Sequence, residues 1–376
     1  MKKNYDTIII GSGLTGLTAS LSLASLNYTV ALIDPKPLIF TKKKYPDNRT
    51  TAISSGSVSF YKKIGCWEKL KFYMCPIKKI LVEESSSDIQ AYFGSQSQSQ
   101  NAMGHMIENK NFLNILLELT RKNKNIFKYD SKLLDYRRTE KQVFAYLENN
   151  RIIEGKLIIA ADGRNSYVRK LADIKYNYKD YNQKAFTFDV KHTKKHHNLA
   201  VEKFIEQGPL AILPIIRKNT QKYSSVVWSC NHPNYYEYLD KGNKKIRTLL
   251  EHYFMKFYGN INLVSKVSTW DLSLIHSKKY TDHRVLLLGD AAHSIHPLAG
   301  QGFNLTVRGI KKVYSFAKNE NLADRDIGKK RYLAEYSTKH YLDAISLIFV
   351  TDKLNFLFSN SNFLLKKIRR TGLKVF

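Results

Sequence analysis

The stretch Tyr5-Asp6-Thr7-Ile8-Ile9-Ile10-Gly11-Ser12-Gly13-Leu14-Thr15-Gly16 constrains this chain more than any other. Four consecutive β-branched residues, Thr7–Ile10, read as a strand buried on both faces. Glycines at G-x-G-x-x-G spacing follow, and Leu17–Leu26 then has helical character. A second apolar run, Thr29–Ile33, ends at Asp34, 21 positions after Gly13. Strand, glycine turn, helix and strand are the opening of a doubly wound parallel sheet. The glycine spacing alone is a weak signal, and the flanking strand, helix and acidic residue give it meaning. Gly11 permits the tight turn, Gly13 lets a pyrophosphate approach the backbone, and Gly16 lets helix and strand pack closely. The helix N-terminus supplies N–H donors to phosphate. Asp34 is placed to bind a ribose hydroxyl, and its charge disfavours a 2′-phosphate there.

Two further buried strands end in the same manner. Leu157–Ala160 stops at Ala161-Asp162-Gly163, and Arg284–Leu288 stops at Gly289-Asp290. The second opens the most informative run of the chain, Gly289-Asp290-Ala291-Ala292-His293-Ser294-Ile295-His296-Pro297-Leu298-Ala299-Gly300-Gln301-Gly302-Phe303-Asn304. A strand delivers Asp290 to the sheet's C-terminal edge, where ligands of open α/β sheets bind. A rigid Pro/Gly loop follows, and a helix is expected to begin near Gln301–Gly302. A glycine-bearing helix start admits an anionic group, such as the N1–C2=O side of a reduced flavin. A metal site built from Asp290, His293 and His296 is the rival reading. The spacing is not H-E-x-x-H and no further ligand cluster is apparent, so no metal is expected. Either histidine is accounted for by packing or by solvent, and neither is given a catalytic role.

Between these strands the texture changes. Residues 176–274 hold short alternating segments such as Ala185–Val190, Leu210–Ile216 and Ser224–Ser229, which predict antiparallel strands of a second domain. Ser85–Ser87 and the Ser-Gln run Ser95–Gln100 read as exposed loops. Residues 321–346 and 347–376 read as helical. With 376 residues, 43% hydrophobic and 25% charged, the chain fits two domains and excludes disordered and collagen-like classes. No window reaches the ~18–20 apolar residues of a spanning helix, and the N-terminus lacks the pattern of a signal peptide. The product is expected on the side of the membrane where it is made. Cys66, Cys75 and Cys230 form neither a disulfide framework nor a C-x-x-C pair, which suits a reducing compartment.

Sixty-one Lys and Arg against 32 Asp and Glu give a net charge of +29. Such an excess points to nucleic acid, a phosphorylated ligand or an anionic membrane face. Lysine is spread along the whole chain, with abundant Asn, Ile, Tyr and Phe, a mixture that an A/T-rich genome encodes. The excess is therefore read chiefly as compositional. No nucleic-acid motif accompanies it, and nucleic acid is not expected as a partner.

The G-x-G-x-x-G start, Ala161-Asp162-Gly163 with Ser166 and Arg169, and Gly289-Asp290 resemble the signatures of the FAD-dependent aromatic hydroxylases, the family of p-hydroxybenzoate hydroxylase. Asp47–Ser54, Gly65-Cys66-Trp67, Gly104–Asn109, Gly208–Pro214 and the Gly289–Leu305 run resemble the ubiquinone-biosynthesis hydroxylases in particular. The resemblance extends from about residue 5 to 375. It implies an α/β fold: a Rossmann-type FAD-binding domain with a parallel sheet, an interleaved smaller antiparallel-sheet substrate domain, and C-terminal helices. The expected divisions are 1–75, 104–175 and 275–330 for FAD, 76–103 and 176–274 for substrate, and 331–376 for the helical region.

By the same resemblance, Gly11, Gly13 and Gly16 would hold the pyrophosphate, Asp34 the adenosine ribose, and Arg49 the FAD near its phosphates or flavin. Asp162 and Gly163 would sit near the pyrophosphate and a passing nicotinamide cofactor. Gly289 and Asp290 would serve the ribityl chain. Pro297 and Gly300 would form the flavin-face loop where oxygen reacts, and Gly300, Gly302 and Asn304 would line the pyrimidine side. Helix capping for Ser166, a solvated turn for Arg169 and a surface charge for Arg49 are the plain alternatives. The implied reaction is hydroxylation of a polyprenylated phenol or quinol through a flavin C4a-hydroperoxide, with O2 as co-substrate and NAD(P)H or another donor acting transiently. Another small aromatic substrate, or a flavin-dependent reductase or dehydrogenase, are the alternative activities. A ubiquinone-biosynthesis enzyme complex is an implied partner. The C-terminal stretch Leu354–Arg370, large apolar residues with a basic cluster, suits peripheral contact with the inner face of the cytoplasmic membrane. It equally suits a helix packed on the core.

Overall fold

The computed structural model describes residues 4–36, 47–84, 90–94, 102–240, 242–297, 300–320 and 324–359. The Ser85–Ser87 and Ser95–Gln100 segments and the basic cluster 363–370 lie outside them. The β-branched opening run forms the strand Thr7–Ile10, every residue of it buried. It is central in a six-stranded sheet ordered Thr281–Asp282, Val285–Leu287, Ile158–Ala160, Thr7–Ile10, Val30–Ile33, Ile126–Tyr129. All its pairings are parallel except the edge pair Thr281–Asp282 with Val285–Leu287. The chain moves outward on one side through Val30–Ile33 and Ile126–Tyr129, then on the other through Ile158–Ala160 and Val285–Leu287. The direction reverses beside Thr7–Ile10, and a doubly wound sheet binds its ligands at such a reversal.

Helices Leu14–Ala24, Asn109–Lys122 and Gly302–Asn319 pack with the sheet in the larger core. A nine-stranded sheet makes the second body. Its strand Tyr176–His192 pairs antiparallel with Thr220–Asn231 and with Ser268–Ser277, and Gly208–Arg217 continues the order beyond Thr220–Asn231. This sheet is mixed. The hairpin Lys79–Glu84 and Gln90–Gly94 joins it, and Lys79–Glu84 runs parallel to Leu199–Ile205. One face carries Phe186, Phe188, Leu210, Ile212, Val226 and Trp228 under helices Asn234–Asp240 and Gly242–Tyr258. The opposite face looks toward the parallel sheet across a small antiparallel sheet of Thr50–Ser54, Gly104–Glu108 and Cys75–Ile77.

Instead of two C-terminal helices, one continuous helix runs Lys330–Ser359. No Gly or Pro interrupts it. Lys179 and Tyr181 both reach Asp352 at 2.8 Å, fastening its end to the nine-stranded sheet.

Candidate active site

Gly11 ends the first strand with φ +103°, and a Cβ there would lie 2.4 Å from the Ala161 carbonyl oxygen. The two central strand ends therefore touch at the topological reversal, bringing Asp162 beside the first glycine turn. A Cβ on Gly16 would lie 1.8 Å from the Gly11 carbonyl oxygen, so helix Leu14–Ala24 packs against the turn as closely as backbone allows. Gly13 differs. Around its Cβ position there is nothing within 4 Å, and it caps the helix without a side-chain hydrogen bond. Asp34 accepts the Ser12 N–H at 2.7 Å and the Lys36 N–H at 2.8 Å, so its carboxylate also shapes the turn.

At the second strand end, Asp162 Oδ2 accepts the N–H groups of Tyr167 and Val168, at 2.7 and 3.1 Å. Its Oδ1 is buried with no partner among the described residues. Gly163 (φ +84°) also has open space where a Cβ would stand. Ser166 caps the short helix Tyr167–Leu171, accepting the Arg169 N–H at 3.0 Å. Arg169 is no solvated turn. It is buried, donates to the Ala291 carbonyl at 3.0 Å and to the Arg164 carbonyl at 2.9 Å, and thereby ties the second strand end to the third. The carbonyls hold the cation, and of the two readings the sequence left open for Arg169 the solvated turn is the one that falls.

At the third strand end, a Cβ on Gly289 (φ +59°) would meet Thr15 at 2.9 Å and Thr306 at 3.1 Å. Two helix N-termini, those of Leu14–Ala24 and Gly302–Asn319, thus converge on Gly289. Asp290 stands next to them, exposed, with no hydrogen bond or ion pair among the described residues. Protein surrounds it nonetheless, which places it at the floor of a cleft. Desolvation pushes its carboxyl above the usual range against the opposing pull of Arg49 and Arg164. Arg49 is gripped by Asp47 through Nε and Nη2, each at 2.8 Å, and lies 4.6 Å over the Trp270 ring. The Asp47 hydrogen bonds hold the guanidinium above its ordinary value. Arg164 donates to the carbonyls of Asp271 and Ser273 in the strand that carries Trp270. Arg164 and Trp270 escaped sequence reasoning: Arg164 lies inside the Asp162–Arg169 signature but is not one of its named positions, and Trp270 falls in no motif.

The loop after Asp290 is fastened at both ends. His296 Nε2 lies 2.9 Å from Gln183 Oε1 in the nine-stranded sheet. The Gly300 N–H donates to Pro297 at 2.9 Å, and a Cβ on Gly300 (φ +61°) would lie 3.0 Å from that of Ala52. Leu298 and Ala299 lie outside the described residues. Asn304 accepts from Ser54 N and Ser57 Oγ, both at 2.9 Å, and donates to the carbonyls of Ala52 (2.9 Å) and Gly300 (3.2 Å). Its side chain is saturated by protein, so a ligand meets Asn304 through its backbone. His293 packs away from the cleft, its Nε2 3.2 Å from His340 Nε2 on the C-terminal helix. Burial pushes His293 down to about 3 and His340 to about 2, so the pair is neutral and links loop to helix. No group of three or more His, Cys, Asp or Glu suited to a metal occurs among the described residues.

A cleft whose floor is left open by glycine hydrogens, ringed by two helix starts and carrying an unpaired Asp290 and an orphaned Asp162 oxygen, fits an extended flavin dinucleotide. These observations define a flavoprotein. Comparison with known proteins agrees: the family model described as "FAD binding domain" matches residues 4–338. The chain belongs to that family. It is 32% identical over 376 residues to "Ubiquinone hydroxylase UbiL" of Rhodospirillum rubrum, covering 99% of this chain and 86% of that protein. It is 25% identical over 370 residues to the "3-demethoxyubiquinol 3-hydroxylase" of Escherichia coli, covering 98% and 93%. The solved structure of pqsL, "a probable FAD-dependent monooxygenase from Pseudomonas aeruginosa", superposes with a TM-score of 0.79 at 17% identity over the whole of both chains. The protein is an FAD-dependent aromatic-ring monooxygenase.

Proposed function

We propose that this enzyme hydroxylates the aromatic ring of a polyprenylated phenol or quinol on the way to ubiquinone. The observation that carries the reading is the convergence of Gly13, Asp162 and Asp290 on one open cleft, together with relatives bearing ubiquinone-hydroxylase names over nearly the whole chain. Of the described residues, those within 1–75, 104–175 and 275–330 form the FAD-binding part, those within 76–103 and 176–274 the substrate part, and those within 331–376 the helical region. Gly11, Gly13 and Gly16 hold the pyrophosphate. Asp34 accepts a ribose hydroxyl with the lone pairs left by Ser12 and Lys36. Asp162 Oδ1 and Gly163 face the phosphate side, and Arg49 lies along the cofactor. Gly289 and Asp290 take the ribityl hydroxyls. The backbone of Gly302 and Asn304 faces the pyrimidine edge, and Pro297 and Gly300 border the flavin face. When bound, FAD would supply transfer of two electrons from NAD(P)H or another donor to O2, one oxygen atom of which goes to the ring while the other leaves as water. The chain orients the ring, screens it from water and neutralises charge.

The substrate's tail calls for a lipid-facing surface. Among the described residues no helix is long and apolar enough to cross a membrane. Helix Lys330–Ser359 instead shows a stripe of Leu342 (60% exposed), Ile345 (40%), Phe349 (61%) and Phe356 (58%). These recur at helical spacing on one side, and Lys339 and Lys353 flank them. The stripe supports peripheral docking on the inner face of the cytoplasmic membrane. The reaction is tested by supplying the FAD-loaded protein with NAD(P)H, 18O2 and a prenylphenol or its quinol. One labelled oxygen on the ring supports the reading. Consumption of reductant with only hydrogen peroxide formed, or direct dehydrogenation, refutes it.

A further inference from the structure

Glu202 stands in the middle of strand Leu199–Ile205. Its neighbours Val201 and Ile205 point into the apolar cluster beneath the two helices. Strand alternation therefore turns Glu202 to the other face, toward the cofactor body. The register sets it in one row with Val82, Ala211, Val227 and Thr187. Three of these neighbours are aliphatic. The fourth donates nothing to it, since the Thr187 hydroxyl serves Trp270 Nε1 at 3.3 Å and the Ser268 carbonyl.

The position of this row along the face follows from the loop's two anchors. One row away on one side, about 7 Å along the strands, Ala200 and Leu213 pack with Ala52, whose Cβ meets Gly300. Two rows away on the other side lies Gln183, the partner of His296. The Glu202 row therefore crosses the sheet between the points where the Pro297–Gly300 loop is fastened. A ring lying between sheet and flavin face rests against that row.

Glu202 is treated unlike the other carboxylates of its sheet. Glu83 bonds Lys203 and Lys256, and Asp189 bonds Arg217. Glu202 makes no hydrogen bond or ion pair among the described residues, although protein surrounds it and it keeps partial access to solvent. A purely structural carboxylate in such a place is costly. We propose that Glu202 is a catalytic residue that accepts the proton of the substrate's ring hydroxyl, an assignment that rests on the hydroxylase reading above. The aryl O–H bond breaks and leaves its electron pair on oxygen, and the proton forms a new O–H bond on a Glu202 carboxylate oxygen. The resulting phenolate enriches the ring carbon that receives oxygen. Solvent takes the proton when Glu202 reionises.

Burial raises the carboxyl to about 7, so it is poised as a base at neutral pH. No charged side chain faces it within its row. Glu84 lies one row on, beside Phe204, and Asp189 with Arg217 lies at the far edge one row back. The base works when ionised. Hydroxylation therefore rises with pH through about 7 and levels off above.

The test compares wild type, Glu202→Gln and Glu202→Asp, all loaded with FAD, on a prenylphenol carrying one isoprene unit. Glu202→Gln is expected to retain FAD and flavin reduction within about twofold, to lose roughly 10²-fold or more in hydroxylation, and to lose the acidic limb of the pH profile. Glu202→Asp is expected to recover part of the rate. Infrared titration of the holoenzyme gives an independent readout: a protonated-carboxyl band with a midpoint near neutral pH, absent from Glu202→Gln. If the Gln variant hydroxylates with unchanged rate and pH profile, or the band persists, the assignment is wrong while the hydroxylase stands. Wild type that leaves the ring unoxygenated overturns both.

Discussion

Gly13 and Gly16 belong to one motif yet do different work. A side chain at Gly13 has room in the folded chain and an ordinary backbone conformation, φ −73° and ψ −175°. Gly13→Val is therefore expected to cost the FAD-free protein only the weaker N-cap, about 1 kcal/mol. It should weaken FAD binding at least about tenfold, ~1.4 kcal/mol, because the methyl groups occupy the phosphate path. Gly16→Ala meets the Gly11 carbonyl and is expected to destabilise the FAD-free fold itself by about 3 kcal/mol. Urea unfolding beside flavin-fluorescence titration separates the two, and equal behaviour of the variants would refute the distinction. Asp290→Ala should fold normally yet bind FAD roughly 10–100-fold more weakly, as loss of hydrogen bonds to a charged group implies. Full flavin occupancy after gel filtration would contradict that role. The glycine pattern and the strand-end aspartates were legible because backbone geometry demands those residue types. The partners of Asn304 and Arg169 were not, because a side chain's bonds depend on segments far apart in sequence, such as Ser54 for Asn304 and Ala291 for Arg169. Glu202 was hidden for another reason. It lies in no motif, its neighbour Lys203 puts a charge on the other face as well, and only the fold shows which face meets the cofactor body.

Elements were readable where local periodicity and burial agree. The strand–turn–helix–strand opening and the helix starting at Gly302 are such cases. The parallel insertion of Lys79–Glu84 beside Leu199–Ile205 was not, because pairing across more than a hundred residues leaves no local trace. The C-terminal helix shows the same limit, since its apolar residues include both packed and exposed ones. Ala344 is buried while Leu342 and Phe349 stand out. Phe349→Asp removes apolar area from the exposed stripe and adds a charge that an anionic leaflet repels. It is expected to leave unfolding unchanged and to lower co-sedimentation with phosphatidylglycerol vesicles about tenfold. Unchanged partitioning would assign the stripe to something other than lipid.

Across the whole molecule, the active-site cleft lies between two bodies, so its shape depends on what fastens them. Besides the C-terminal helix, a polar clasp is made by Arg217, which bonds Glu108 of the small sheet and, at 2.7 Å, Asp189 of the large one. Asp189 is almost wholly buried, and desolvation holds its carboxyl above the usual range despite the Arg217 hydrogen bond. Arg217→Met leaves the buried Asp189 without its cation and Glu108 with Lys110 alone among the described residues, a change that costs about 3 kcal/mol or more. The loss has a defined pH dependence. With the cation gone, desolvation is no longer opposed at Asp189, so its folded-state carboxyl lies still further above its unfolded value and the folded state binds more protons. The variant therefore regains stability as pH falls through that raised value, and its deficit against wild type is largest at pH 7–8. Urea midpoints at pH 8 and pH 5.5 read this directly. A deficit that stays constant or grows on acidification would mean that Arg217 acts through packing rather than charge. On the proposed placement of the flavin face, the same clasp holds the Glu202 row over it, so Arg217→Met should also raise the share of reductant that ends as hydrogen peroxide, even at the pH where its stability recovers.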